Sequence, residues 1–268
     1  MPPASNSFIR LPMTRKPAFN ARFIVRFYAH FVEGLMLGEQ MVRDMFKDQL
    51  PGWSMLDLGI GAGRTTRHFA PLVKAYRGID YAEGMIRLVH EKFPGTFPNA
   101  IYEVADASHM PHFPDNSFNF CLFSFNGLDA NPLAERMAGL AEIFRVLVPN
   151  GYFFFCTHNL QSIDVIFELE KTKNPIKFGY SVFKKILLHL MLGSVKKLKK
   201  KDHIYIRDAA HLFRVKHMYV KPDEAIRQLK EVGFTEIRMF NYPESIEITG
   251  QDSETITDSA FLFFLAKK

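Results

Sequence analysis

Cysteine is scarce in this 268-residue chain: Cys121 and Cys156 are the only two, and both sit inside apolar runs that read as strands. A pair so placed argues against a disulfide-stapled scaffold and reads as two buried reduced thiols, which suits a cytoplasmic compartment. Long hydrophobic runs are also lacking. The apolar stretches at 186–192 and 261–266 fall well short of the ~20 residues a membrane-spanning helix needs. Arg10, Arg15 and Lys16 interrupt any apolar N-terminal core, so no secretory signal is expected. Metal-ligand spacing is missing as well. His109 and His112 flank Pro111 in an irregular segment, and there is no Cys–His or His-Glu-x-x-His pattern. A G-x-S-x-G nucleophile elbow is absent too. Charge is not extreme: Lys+Arg 34 against Asp+Glu 28 gives +6, which says little about partners until it is located. What remains is an ordinary globular composition, 47% hydrophobic and 23% charged, long enough for one large domain and an accessory segment.

The most informative stretch that is present runs from Trp53 to Arg64, WSMLDLGIGAGR. Residues 53–58 form a short apolar run behind Pro51-Gly52 and read as a buried strand. Gly59, Gly61 and Gly63 lack a Cβ and permit a sharp turn that approaches a ligand closely. Residues 64–72 have helix-compatible spacing. Such a strand, turn and helix aims free backbone N–H groups at whatever sits beyond the strand. A dinucleotide fingerprint begun at Gly59 would need glycine at position 64, where Arg64 stands, so a nicotinamide oxidoreductase is disfavoured.

Instead Asp57 precedes glycines at every second position. That pattern resembles the first motif of the class I S-adenosylmethionine-dependent methyltransferases, whose glycines pass under the methionine part of the cofactor. Three further stretches match in order. Residues 74–80 read as a second strand ending in Asp80, a carboxylate placed to accept the ribose hydroxyls. Tyr81 follows, and Met85 falls where the family often packs a side chain on adenine. Residues 100–105 read as a third strand, after which the resemblance implies that Asp106 and the backbone of Ala107 read the adenine edge. Residues 118–125, FNFCLFSF, read as a central strand buried on both faces. The family usually shows an acid where Asn119 stands. Ser124 closes the cofactor set, and Asn126 and Asp129, just beyond, are candidates for the catalytic site. Residues 132–147 form an amphipathic helix, and 148–151 (VPNG) lead into a fifth strand, with Asn150 where the family has glycine. His158 lies at the end of that strand and is the first candidate base, with Asp129 the second.

The resemblance implies an α/β fold: a seven-stranded doubly wound sheet with the last strand antiparallel, an N-terminal helical flap, and a cap insert after strand five. The expected divisions are a lead-in and flap over 1–50, with Phe23, Phe27 and Phe31 at near-helical spacing and Gly34 and Gly38 as breaks. A cofactor-binding Rossmann-like core covers 51–160, a cap 161–220, and a closing helix and strands 221–268. Tyr28 in the flap is a candidate to face the ligand. Within the cap, residues 171–201 hold ten lysines and no acid, around a short apolar helix at 182–192. A solvated charged face, an anionic membrane surface and RNA compete to explain them. Nucleic acid is disfavoured because no aromatic–glycine RNA signature accompanies the lysines. Asp208, His211, Arg214, His217 and Tyr219 follow, and spacing does not choose which of them line the acceptor pocket.

The expected cofactor is S-adenosyl-L-methionine and the expected acceptor a small molecule, hydrophobic if the Phe-rich flap and cap surround it. The alternatives are a non-catalytic or degenerate cofactor-binding protein, and a methyltransferase that meets lipid or RNA through the lysine-rich cap. Oligomeric state is not legible from the sequence, and no metal is expected.

Overall fold

A computed structural model of the protein describes residues 25, 34–169, 171–207, 215–250 and 255–268. Tyr28, most of the expected flap, and Asp208, His211 and Arg214 lie outside the described residues. Helix α1 (Leu37–Met45) leads into β1 (Ser54–Leu58), the glycine turn and a short α2 (Thr66–Phe69). Then come β2 (Ala75–Asp80), α3 (Glu83–Lys92), β3 (Ala100–Val104), β4 (Phe118–Phe123), α4 (Leu133–Val146) and a long β5 (Leu147–Asn159). A 3-10 segment (Leu160–Phe167), α5 (Pro175–Leu192), α6 (Val195–Leu198) and the strands β6 (His203–Ile206) and β7 (His217–Val220) form the insert. Helix α7 (Pro222–Val232), β8 (Thr235–Asn241) and β9 (Phe261–Lys267) close the chain.

Strands β3, β2, β1, β4 and β5 lie side by side and parallel. On the free edge of β5, β9 pairs antiparallel along Tyr152–His158, and β8 pairs with β9. These seven strands, the last of them antiparallel, make the sheet that the resemblance implies. Alternation along them separates two cores. Leu56, Cys121, Phe153, Phe155 and Phe264 face α4 and α7 on one side, while Met55, Phe120, Phe154, Cys156 and Phe263 face α1, α2 and α3 on the other. Helices on both faces make the sheet doubly wound and keep its strands apolar on both sides.

Four elements differ from the sequence reading. Gly38 does not break the N-terminal helix but lies within α1, where a Cβ would come 2.8 Å from the Phe263 ring. Its missing side chain lets α1 close on the sheet. The helix after the glycine turn is only Thr66–Phe69, giving way to a 3-10 turn, Ala70–Leu72. Pro71 inside that turn has no N–H to continue the ladder. The apolar helix of the insert is longer than expected and starts at Pro175, with Asn174 accepting from the N–H groups of Ile176 and Lys177 as its cap. Finally, the insert adds the β6–β7 hairpin to the sheet. The last β4 partner on β5 is Phe155, and at His158 β5 pairs both with Phe261 of β9 and with Tyr219 of β7. Because β9 holds one edge, β7 must take the edge that β4 vacates, continuing the line of β4 past its tip.

Candidate active site

Parallel strands end on the same edge, so the turns after β1, β2, β3 and β4 converge without any special device. Between them lies a cleft enclosing about 120 Å³ of space open to water. Gly59, Asp80, Tyr81 and Met85 line it from β1 and β2, and Asp106 and Ala107 from the turn after β3. Ser124 and Asn126 line it at the β4 exit. Gly59 has φ +64°, and a Cβ there would meet Phe123 at 2.9 Å, so the backbone must stay bare to leave that wall in place. Asp80 is 7% exposed. Its carboxylate accepts from the backbone N–H of Gly61 at 3.0 Å and of Ala82 at 2.8 Å. Burial pushes Asp80 up to about 6, only partly offset by those two donors. Asp106, at the exposed rim, accepts from the N–H and hydroxyl of Ser108.

Asp57, Gly61 and Gly63 lie beneath the cleft rather than on its wall. Asp57 accepts from Thr65 Oγ1 at 2.5 Å and Tyr76 Oη at 2.6 Å through one carboxylate oxygen. Its other oxygen, Oδ1, is buried and makes no hydrogen bond among the described residues. Burial raises this group to about 7, with the Thr65 and Tyr76 hydrogen bonds opposing the rise. Above the glycine turn, Arg64 forms a two-pronged pair with the fully buried Glu39 of α1, at 2.5 and 2.6 Å, and donates to Ser124 Oγ at 2.7 Å. Ser124 Oγ in turn donates to Glu39. Sequence reasoning missed Glu39. The available signal was an acid at i of an i, i+3, i+7 stripe completed by Val42 and Phe46.

At the β4 exit, Phe125 and Asn126 both take left-handed backbone conformations, φ +50° and +58°. Neighbouring non-glycine residues in that region store strain where the chain must bend away from β5. Asn126 Oδ1 accepts from Cys156 Sγ at 2.8 Å. Behind this turn is a buried polar network. Asp129, fully buried, accepts from the His158 backbone N–H at 2.8 Å and Thr157 Oγ1 at 2.5 Å. Arg136 Nη1 donates to it at 2.7 Å, and His158 Nδ1 lies 2.7 Å from its Oδ2. Burial alone would raise Asp129, but the His158 hydrogen bond and the Arg136 charge hold it below the usual carboxylate range. Arg136 also donates to Gln228 of α7. Asp129 is thus fully buried among these partners and does not line the cleft. The His158 ring stands 4.5 Å from Tyr219 and 5.5 Å from His217, and it is His217 that reaches the cleft wall.

Residues 55–151 match the model of a family described as a methyltransferase domain. The match covers the strands and turns that build the cleft and stops short of the insert and the closing strands. It is 30% identical over 43% of its length to a malonyl-[acyl-carrier protein] O-methyltransferase of Yersinia pestis. To the ubiquinone/menaquinone biosynthesis C-methyltransferase UbiE of Geobacter sulfurreducens it is 33% identical over 37% of its length. The chain spans 40% of the length of each of these curated relatives. Among solved structures, a putative S-adenosylmethionine-dependent methyltransferase from Listeria monocytogenes shares the fold, with a TM-score of 0.59 at 18% identity over 86% of this chain and 98% of that one.

The residues on this cleft are compatible in chemistry with S-adenosylmethionine. Asp80 offers a carboxylate to a pair of hydroxyls, and Met85 and Ala107 give an apolar slot beside it. The orphaned Asp57 Oδ1 and the Glu39–Arg64 pair gather acidic and basic groups around the glycine turn. Among the described residues no group of His, Cys, Asp or Glu is arranged to hold a metal ion.

Proposed function

We propose that this protein transfers a methyl group from S-adenosylmethionine to an O, N or C atom of a small, apolar acceptor. The observation that carries this reading is the convergence of four successive strand ends on one cleft with Asp80 in its wall. In this reading Asp80 holds the ribose, Asp106 and Ala107 the adenine edge, Tyr81 and Met85 the adenine faces. Asp57, Gly59, Gly61, Gly63 and Ser124 shape the methionine end, where Arg64 and Glu39 exchange their mutual pair for the carboxylate and ammonium of the ligand. When bound, the sulfonium supplies an already activated methyl, so the chain's work is alignment and exclusion of water.

His158 is the proposed base. Asp129 accepts from its Nδ1–H, which turns Nε2 to the proton transfer. Asp129 is then a positioning residue, Asn126 shapes the acceptor side of the cleft, and His217 is the ring between His158 and the acceptor. The lysine-rich insert is the side of the molecule that meets an anionic surface. The UbiE relative, named for ubiquinone/menaquinone biosynthesis, supports a small apolar acceptor.

Calorimetry with S-adenosylhomocysteine tests the cofactor, and mass spectrometry of an apolar metabolite extract incubated with S-adenosylmethionine tests the reaction. Binding together with an extract component that gains one CH₂ is expected. Binding without any methylated product points to a cofactor-binding protein that does not turn over, and no binding sinks the reading altogether.

A further inference from the structure

Helix α5 carries an apolar stripe that the fold leaves in water. Ile176, Tyr180, Phe183, Ile186, Leu190 and Met191 are between 52% and 82% exposed. At about 100° per residue they fall within roughly 140° of the helix circumference, one continuous face. The helix is held by the opposite side, where Ser181 and Leu188 are buried. Leu188 joins Leu160, Ile163, Phe167, Ile206 and Tyr219 in a satellite core. Scattered apolar side chains on a surface need no account, but a whole helical face of large ones marks a binding surface.

Charge identifies the partner. Lys177 and Lys184 border the stripe on the same helix, Lys185 lies further round, and the segment 171–201 holds ten lysines with no acid. Among the described residues Lys199 alone of these is paired, with Asp164. Among the described residues no helix is long and apolar enough to cross a membrane. A face of Phe, Ile and Leu edged by lysine and too interrupted to span is the form of a helix that lies in the plane of a bilayer surface. RNA would use the lysines but leave Ile176 and Leu190 in water. A protein partner would have to supply both an apolar groove and an acidic rim.

We propose that α5 docks into the headgroup region of an anionic phospholipid bilayer, its stripe among the acyl chains and its lysines on the phosphates. Tyr219 belongs to the core that anchors α5, and its ring is 4.5 Å from His158. Docking therefore sets the acceptor side of the cleft beside the lipid. Docking itself does not depend on the methyl-transfer reading.

The test is sedimentation of the full chain with vesicles of phosphatidylcholine alone or mixed with phosphatidylglycerol. The protein is expected to pellet with the mixed vesicles and stay in solution with the neutral ones. The double variant Phe183→Ser, Leu190→Ser is expected to lose at least about tenfold in partitioning with an unchanged melting curve, since each loses an exposed apolar anchor. Should that variant fold poorly, Lys184→Glu with Lys185→Glu provides a second handle and is expected to lose binding to the mixed vesicles. Equal pelleting with both vesicle types, or with neither, overturns the proposal. So does full vesicle binding by the double variant. A dimer in sedimentation velocity that the double variant dissolves assigns the stripe to a second copy. Retention of a ribonucleotide homopolymer in place of vesicles assigns the lysines to RNA. Calorimetry with S-adenosylhomocysteine on the same samples reports the cofactor site separately.

Discussion

At the Asp80 end of the cleft, the groups that fix Asp80 and Asp57 are near them in the chain, while Glu39, which meets Ser124 across 85 residues, is the exception. Ala82 is two residues from Asp80 and Gly61 nineteen; Thr65 is eight from Asp57 and Tyr76 nineteen. At the His158 end the distances are of another order. Asp129 meets His158 across 29 residues, Arg136 meets Gln228 across 92, and Asn159 donates to the carbonyls of Ile256 and Ser259 across 97 and 100. One end is a set of strand-turn units that each carry their own ligand groups. The other is assembled only when α4, β5, α7 and the C-terminal strands have all packed. The first kind of site can be kept while the second is rebuilt for a new acceptor.

The sharpest way to break this contrast is Asp129→Ala. It leaves the Arg136 guanidinium buried with its carboxylate partner gone, and unpairing a buried ion pair costs about 3–5 kcal/mol. Chemical denaturation should show a loss of that size, with α7 loosened through Gln228. A loss under about 1 kcal/mol would mean that the acceptor end does not depend on long-range assembly. Asp80→Ala, by comparison, should not lower stability at neutral pH by that much, since it removes a buried carboxylate that is costly to ionise along with its two backbone hydrogen bonds.

His158→Ala comes next. Removing a general base typically slows transfer by about 10²–10⁴. The cofactor affinity by calorimetry should stay within about twofold, because His158 touches none of the adenosine-end groups. If His158→Ala retains full turnover on the true acceptor, its role as base is wrong, and alignment alone carries the reaction.

Sequence distance also explains what was legible beforehand. Asp80, Asp106 and Ser124 were readable as neighbours because each stands just at or past a strand end, and parallel strands bring their ends together by construction. Met85 follows in the first turn of α3. The count of seven strands with an antiparallel last one came from the resemblance. For Glu39 the stripe with Val42 and Phe46 signals burial, but its pairing was not readable, since its partner Arg64 is 25 residues away. Nor was the β6–β7 hairpin, whose place beyond the tip of β4 depends on β5 being long enough to outrun its neighbour. Asn150 lies between these cases. It stands at φ +64°, a conformation that asparagine tolerates better than most residues, so the departure from the family's glycine changes little. Gly38 taught the opposite lesson, because a helix breaker in isolation became a close contact with Phe263 once the sheet was in place.

Asp80→Ala should weaken S-adenosylhomocysteine by about two orders of magnitude, given roughly 1.5–3 kcal/mol for each hydrogen bond to a charged group. The same residue predicts a pH dependence. Its folded-state value of about 6 lies above the ordinary 3.8, so between those values the folded chain holds a proton that the unfolded chain has released. Asp57, at about 7, behaves alike. The unliganded protein should therefore lose stability as pH rises from about 4 to about 7. Ligand hydroxyls donate to the carboxylate form, so affinity should move the other way and rise about tenfold from pH 5 to pH 7, then level off. Asp80→Asn should flatten that profile. An unchanged pH dependence in Asp80→Asn would shift the titrating role to Asp57.

The smallest effect is expected at Asn119, where the family usually has an acid. Its Oδ1 accepts from the Ser54 backbone N–H at 2.9 Å, tying the start of β4 to the start of β1 at the sheet edge opposite the cleft. Asn119→Asp keeps an acceptor in that place, so stability should change by less than about 1 kcal/mol and cofactor affinity by less than about twofold. A larger change in affinity would mean that the far ends of β1 and β4 set the height of the glycine turn. The adenosine end would then owe part of its geometry to a contact spanning 65 residues, and the division between a locally built end and an assembled end would no longer hold.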